Sequence, residues 1–329
     1  MHTRQAPDQR IVGVDLGGTK IFSILADPAG TVLSQDLRDT QASQGPQEVI
    51  RHILESIRQV SDGTEIAGIG IGAAGACEAI SGTITSSPNL PGWSYVPLKE
   101  IVERELGTPT YVDNDANVAA LGEHRFGAAK GVDHFILLTV GTGIGGGIVI
   151  NGELYRGASG AAGEVGHMTI DDNGQRCNCG NIGCWETLAS GSALAREAVR
   201  LIEAGAETTI LDFTAGNRDR VSAQTVYLAA QGGDRLAHEL IARTGYYLGV
   251  GLVNLINIFN PQLILIGGGL CRMGQLIMEP AIRVVRERAF DLPARAVRIE
   301  LGGLGIDAGA FGAIALVLKE SARASYSER

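Results

Sequence analysis

The sequence predicts an α/β protein built as two α/β domains around a cleft. Two observations carry this. A pattern of strand, glycine turn, strand, tight turn and strand opens the chain near residue 11 and recurs near residue 135, which reads as a duplicated α/β unit. The chain is also 329 residues long, enough for two domains or one large domain with a cleft.

In order, "RIVGVDLGGTKIFSILADPAGTVLSQDLR" gives three strands, separated by a glycine turn and then a Pro/Gly turn. "GPQEVIRHILESIRQVSD" places Val49, Ile50, Ile53, Leu54 and Ile57 on one helical stripe. "EIAGIGIGAAGACE" is an apolar strand running into small residues, and "NLPGWSYVPLKEIVERELG" is a loop entering a short helix. "PTYVDNDANVAALGEHRFG" is a strand entering another helix. "HFILLTVGTGIGGGIVINGELYRG" repeats the opening pattern, with Asn-Gly as the hairpin turn. The rest is mainly helical from "GSALAREAVRLIEAG" through "RLAHELIARTGYYLGVGLVNLINIFNP", with "QLILIGG" as one more buried strand and "GAFGAIALVLKESARA" as a final helix able to pack back on the first unit. The expected division puts residues 1–115 and the C-terminal helix 309–329 in a smaller domain and 116–308 in a larger one, with the boundary inside the "NDANVAA" helix.

Composition narrows the function classes. Apolar residues make up 45% and charged residues 19%, enough for proper cores. A net charge of −9 argues against a broad nucleic-acid or anionic-membrane surface. The five cysteines, three of them clustered, suit a reducing cytoplasm better than a disulfide framework. "MHTRQAPDQR" lacks the apolar core of a secretion signal. The uncharged runs Phe135 to Gly152 and Tyr246 to Cys271 are broken by glycine, asparagine and proline, so no membrane partner is expected.

Several glycine clusters compete for a nucleotide. G-x-G-x-x-G occurs at Gly70, Gly72 and Gly75 and again at Gly141, Gly143 and Gly146. Neither copy opens a helix with an acidic residue at the distance a dinucleotide site requires. "DLGGTK" is more specific. A strand brings Asp15 to its carboxyl end, Gly17 and Gly18 let the turn expose N–H groups to a phosphate, Thr19 offers a hydroxyl and Lys20 a positive charge. "TVGTGIGGG", with Gly141, Thr142 and Gly143, is a second such turn, and Gly267 to Gly269, centred on Gly268, are available to a purine.

"DLGGTK", "VDNDANVAA", "GTGIGGG", "GEVGH" and "CNCGNIGCWE" together resemble the ROK family of sugar kinases, over about residues 10 to 315. The resemblance implies the actin-like/hexokinase (ribonuclease H-like) fold. It also implies ATP-dependent transfer to the 6-hydroxyl of a hexose, most like the bacterial glucokinases. N-acetylmannosamine, N-acetylglucosamine, fructose and allose are the alternative acceptors. Sugar-responsive regulators of the family carry an N-terminal DNA-binding domain. Only ten residues precede the first strand here, which disfavours that branch and a nucleic-acid partner. An actin-like ATPase scaffold is the remaining rival. A homodimer or homotetramer is the family's habit.

The Asp113, Asn114, Asp115 run lies between a strand and a helix, where Asp and Asn commonly cap. Phosphoryl transfer also needs a carboxylate to orient and deprotonate the attacking hydroxyl. By resemblance Asp115 is that base, Asn114 and Asn89 bind sugar hydroxyls, and Asp113 is local structure. Glu164, His167 and Glu186 complete the implied sugar contacts. Cys177, Cys179 and Cys184 form a C-x-C-x4-C cluster one ligand short of a closed zinc site, and His167, ten residues upstream, is the expected fourth. With four protein ligands the zinc would be structural, and Mg2+ would arrive with ATP. Cys77 and Cys271 read as buried small hydrophobes.

Overall fold

The computed structural model describes residues 9–327 and divides the chain into two compact units. The first comprises the chain through Asp133, Gly147–Gly163 and the segment from Gly302 onward; the second comprises His134–Gly146 and Glu164–Leu301. This division differs from the expected one at 115/116. The expectation about a secretion signal falls mostly on residues 1–8, outside the described residues. Among the described residues no helix is long and apolar enough to cross a membrane.

The first unit is built on strands β1 (Ile11–Leu16), β2 (Lys20–Ala26), β3 (Val32–Asp39), β4 (Gly68–Ala73) and β8 (Thr110–Asn114), ordered β3-β2-β1-β4-β8. The strands β5 (Ala76–Glu78), β6 (Thr83–Ser86) and β7 (Ser94–Val96) make a separate small sheet. β1 runs antiparallel to β2 and parallel to β4, which is parallel to β8. Side chains alternate across a strand, so β1 serves two cores. Val12, Val14 and Leu16 join a cluster with residues of helices α1 (Pro46–Ser61) and α2 (Leu98–Leu106). Ile11 joins Ala310, Ile314 and Val317 of the C-terminal helix, whose range is Ala308–Ser327.

That second face explains the glycines of "GIGIGA". A Cβ at Gly70 would lie 2.0 Å from the Ala313 carbonyl oxygen, and one at Gly13 would lie 2.3 Å from that of Ala310. The glycines bring the helix backbone onto the sheet. Helix α3 (Asp115–Arg125) packs on the same C-terminal helix, and a Cβ at Gly312 would lie 1.9 Å from the Val118 carbonyl oxygen. This backbone-to-backbone packing keeps α3 in the first unit, so the division cannot run through the "NDANVAA" helix.

In the second sheet β9 (Phe135–Val140), β10 (Ile144–Ile150), β11 (Glu153–Leu154), β12 (Leu263–Gly267) and β13 (Arg298–Leu301) lie in the order β11-β10-β9-β12-β13. This repeats the order of the first sheet, strand for strand. The β10–β11 turn uses Asn151 and Gly152 with φ of 53° and 74°, the left-handed pair that a two-residue hairpin of this kind requires. Helices α4 (Glu186–Ala189), α5 (Gly191–Glu203), α6 (Ala223–Gln231), α7 (Arg235–Phe259), α8 (Gln275–Arg288) and α9 (Asp291–Ala296) belong to the second unit, and the C-terminal helix of the first unit is α10. α7 and α8 touch closely: a Cβ at Gly245 would lie 2.4 Å from the Ile277 carbonyl oxygen. β13 and the small β5–β6–β7 sheet were not legible in the sequence. They are short, and β13 is mostly exposed, which removes the apolar alternation that marks a strand.

Candidate active site

In the first unit, the turn between β1 and β2 holds Gly17, Gly18 and Thr19. Gly17 N–H donates to the Lys20 carbonyl at 2.9 Å, and Thr40 clamps the turn: its hydroxyl donates to the Gly17 carbonyl at 2.7 Å and its N–H to that of Thr19 at 2.9 Å. Thr19 and Lys20 are exposed. A Cβ at Gly18 would lie 2.8 Å from the Asn89 carbonyl oxygen, so the glycine brings Asn89 against the turn. Thr40 carried no signal in the sequence.

Asp15 shares the sheet face of Ile11 and Gly13, toward α10. A Cβ at Gly309, in the first turn of that helix, would lie 2.5 Å from its carboxyl carbon. Asp15 keeps a partial opening at the strand end but is otherwise ringed by protein. Burial first, and the negative charge of Asp115 second, raise its pKa from 3.8 to about 7. Asp15 and Asp115 thus sense each other within one unit.

The strand end β8 and the start of α3 carry the Asp-Asn-Asp run. Asn114 is the N-cap: its side-chain oxygen accepts from the N–H groups of Ala116 at 2.9 Å and Asn117 at 3.2 Å, and its amide donates to the Gly75 carbonyl at 3.0 Å. The capping role is therefore real and leaves one amide proton of Asn114 for a ligand. Asp115 is half-buried, and its carboxylate accepts from the Ala116 N–H at 2.8 Å. Asp113 points into the interior, where it meets Arg156.

In the second unit, Gly141, Thr142 and Gly143 form the turn between β9 and β10. Gly141 N–H donates to the Gly143 carbonyl at 2.9 Å, and the Gly141 carbonyl accepts from the Gly191 N–H at 2.7 Å. The Glu186 carboxylate accepts the Ile144 N–H at 2.9 Å, and a Cβ at Gly143 would lie 2.0 Å from it. Glu186 is thereby held against this turn as well as following the cysteines in sequence. Gly268, with φ of 92°, packs on the end of β9, where a Cβ would lie 2.5 Å from the Val140 carbonyl oxygen.

His167, Cys177, Cys179 and Cys184 converge, with one ligand atom from each all lying within 4.8 Å of one another. The His167 Nδ1 is 3.7 Å from Cys177 Sγ, and Cys179 Sγ is 3.6 Å from Cys184 Sγ. The other ring nitrogen, Nε2, lies 3.8 Å from the Glu164 carboxylate, whose side chain is 54% exposed and accessible to a ligand. Trp185 anchors the cluster. It is fully buried, and its Nε1–H donates to the Tyr247 carbonyl of α7 at 2.8 Å. A Cβ at Gly251 would lie 2.0 Å from its ring, so that glycine makes the slot. Gly251 has no local signal in the sequence, whereas Trp185 is marked there by its place between Cys184 and Glu186. Cys77, whose thiol burial pushes up to about 12, is buried, and Cys271 is half-buried.

The chain is 38% identical over 315 residues to a glucokinase of Thermotoga maritima, covering 94% of this chain and 98% of the relative. It is 36% identical to a xylose repressor of Caldicellulosiruptor bescii, covering 94% of this chain and 78% of that protein. The crystal structure of a ROK family glucokinase from Streptomyces griseus in complex with glucose and AMPPNP superimposes with a TM-score of 0.85 at 36% identity, covering 94% of this chain and 99% of that one. The two sheets of equal strand order are the actin-like/hexokinase fold. The family model described as "ROK family" matches residues 11–320, and the chain belongs to the ROK family.

Proposed function

We propose that this protein is an ATP-dependent glucokinase that transfers the γ-phosphate to the 6-hydroxyl of glucose. The observation that carries the reading is the carboxylate of Asp115 at the start of α3, within electrostatic reach of Asp15 beside the β1–β2 turn. A base for the acceptor hydroxyl and a phosphate-holding turn are the two parts that phosphoryl transfer needs together. The glucokinase of Thermotoga maritima, 38% identical over nearly its whole length, supports the same reaction.

In this reading Asp115 accepts the proton of the 6-hydroxyl as its oxygen attacks the γ-phosphorus. Asn89 and the remaining amide proton of Asn114 hold sugar hydroxyls, and Glu164, His167 and Glu186 are the further sugar contacts that the family resemblance implies. Gly17, Gly18 and Thr19, and likewise Gly141, Thr142 and Gly143, present N–H groups to the phosphates, and Lys20 adds a positive charge. Gly268, which lets the β12 end pack on the end of β9, is the purine-side residue in this reading. Mg2+ bound with ATP would supply neutralising charge at the phosphate oxygens.

His167, Cys177, Cys179 and Cys184 suit a structural zinc ion. Tetrahedral bonds of about 2.3 Å to sulfur and about 2.05 Å to nitrogen imply S···S separations of about 3.8 Å and S···N of about 3.6 Å. The observed 3.6 Å and 3.7 Å match that spacing. Four protein ligands leave no position for substrate, so the ion would brace the loop that carries Glu186 and His167.

Small-molecule sugar and ATP are the partners in this reading, in the cytoplasm, for a homodimer or homotetramer. The xylose repressor among the relatives supports a second reading, a sugar-responsive regulator that transfers no phosphate. One assay separates the two: ADP release over a panel of hexoses for the wild type and Asp115→Asn. The kinase reading expects turnover with glucose, and at least a hundred-fold loss in Asp115→Asn with glucose binding retained. Glucose binding without turnover in the wild type would favour the regulator.

A further inference from the structure

Asp113 belongs to neither the proposed base nor the proposed sugar contacts, yet its carboxylate accepts four hydrogen bonds. Its side chain is 2% exposed and that of Arg156 is 19% exposed. One carboxylate oxygen, Oδ2, accepts both Nε of Arg156 at 2.9 Å and its Nη2 at 2.7 Å. The other, Oδ1, accepts the Asn114 backbone N–H at 2.7 Å and the Asn117 side-chain amide at 3.1 Å. Asn117 gives its amide to Asp113 while its own buried Oδ1 has no partner among the described residues, so that donor serves the carboxylate.

These bonds enclose the two residues that matter most. Asn114 and Asp115 lie between Asp113 and Asn117, so the Asp113 carboxylate grips the strand end and the first turn of α3 at once. Arg156 comes from the segment after β11, which continues through the glycine-rich residues 157–163 to Glu164. The Arg156 carbonyl accepts the Ala162 N–H at 3.0 Å, which closes that segment into a loop.

We propose that Asp113 and Arg156 are a positioning pair for phosphoryl transfer. The pair fixes where the Asp115 carboxylate stands relative to the acceptor hydroxyl, and it anchors the segment leading to Glu164 on the same strand end. A buried ion pair is weak evidence for net stability, because desolvation offsets most of the attraction, but it is a good device for holding one geometry. Catalysis is sensitive to such placement: an error of about 1 Å can cost about a hundred-fold in rate. Arg156 touches no reacting atom in this scheme. It acts through Asp113.

The inference rests on the kinase reading, so the wild type is assayed first with glucose and ATP. A wild type that binds glucose but forms no glucose phosphate would overturn that reading. With an active wild type, Arg156→Met is expected to lower kcat by about ten- to a hundred-fold. KM for ATP should stay within about twofold, and the ratio of ATP hydrolysed to glucose phosphorylated should rise. Arg156→Lys, which keeps the charge but not the two-pronged grip, should fall between. Asp113→Asn combined with Arg156→Met should be no slower than the worse single variant, because both remove one interaction. An unchanged kcat in variants that only melt earlier, or losses that multiply in the double variant, would overturn the positioning role. Should Arg156→Met fail to fold, Arg156→Lys and Asp113→Asn give the same readouts.

Discussion

Asp15→Asn tests the electrostatic account of the β1 strand end. In the unliganded protein the Asp15 pKa stands at about 7 against an ordinary 3.8, through burial and the Asp115 charge. Below pH 3.8 the carboxyl is protonated in both folded and unfolded chains and costs nothing. Between 3.8 and about 7 the folded state holds the proton more tightly, so stability falls as pH rises. Above about 7 the deficit is constant. At about 1.4 kcal/mol per pH unit the full span is about 4 kcal/mol; the partial opening at the strand end reduces this to about 2–4 kcal/mol. Asparagine is isosteric and carries no charge, so the variant should be more stable than the wild type at high pH. The gap should grow by about 2–3 kcal/mol between pH 4.5 and pH 8.5. For units of this size that is on the order of 5–10 °C in the melting temperature of the first unit. Thermal scans of both proteins without nucleotide at the two pH values measure it. A gap independent of pH, or a variant less stable at pH 8.5, would refute the argument that Asp15 is a buried, repelled carboxylate.

Further predictions concern the second unit. Metal analysis should find about one zinc per chain. Its removal by a chelator should lower the melting temperature of the second unit and weaken glucose binding, and a zinc-free preparation with unchanged melting and activity would exclude the bracing role. Gly251→Ala would drive a methyl group into the Trp185 ring, 2.0 Å away. The expected loss is about 1–3 kcal/mol from overpacking, read by denaturant unfolding, with zinc content retained if Trp185 moves without releasing the cysteines.

Much of the candidate site was legible because its chemistry is local in the chain. "DLGGTK" and "TVGTGIGGG" each place a strand, a turn and the exposed N–H groups within a few residues, and the structure builds both as turns between antiparallel or neighbouring strands. The cysteine spacing together with His167 predicted a convergence that the fold delivers. The glycines of "GIGIGAAG" were a different matter. Their spacing imitates a nucleotide motif, but Gly70 serves the backbone contact with α10, more than two hundred residues later in the sequence. The place of α3 in the first unit has the same cause, because α3 packs on the distant α10 as well as on β4 and β8. Thr40, Arg156 and Gly309 are single residues with no local pattern around them, and each gains meaning only from its partner.

The sequence by itself therefore determined the repeated strand–turn pattern, the two glycine turns and the Cys/His spacing, since alternation, turn chemistry and spacing all act over short stretches, while Asp115 as a base is what the family resemblance implies. Only the tertiary structure decided what surrounds those groups: α10 pressed against Asp15, Asn89 against Gly18, Glu186 against Gly143 and Arg156 against Asp113. Burial and charge at a site depend on which distant segments reach it, and that depends on packing across the whole chain.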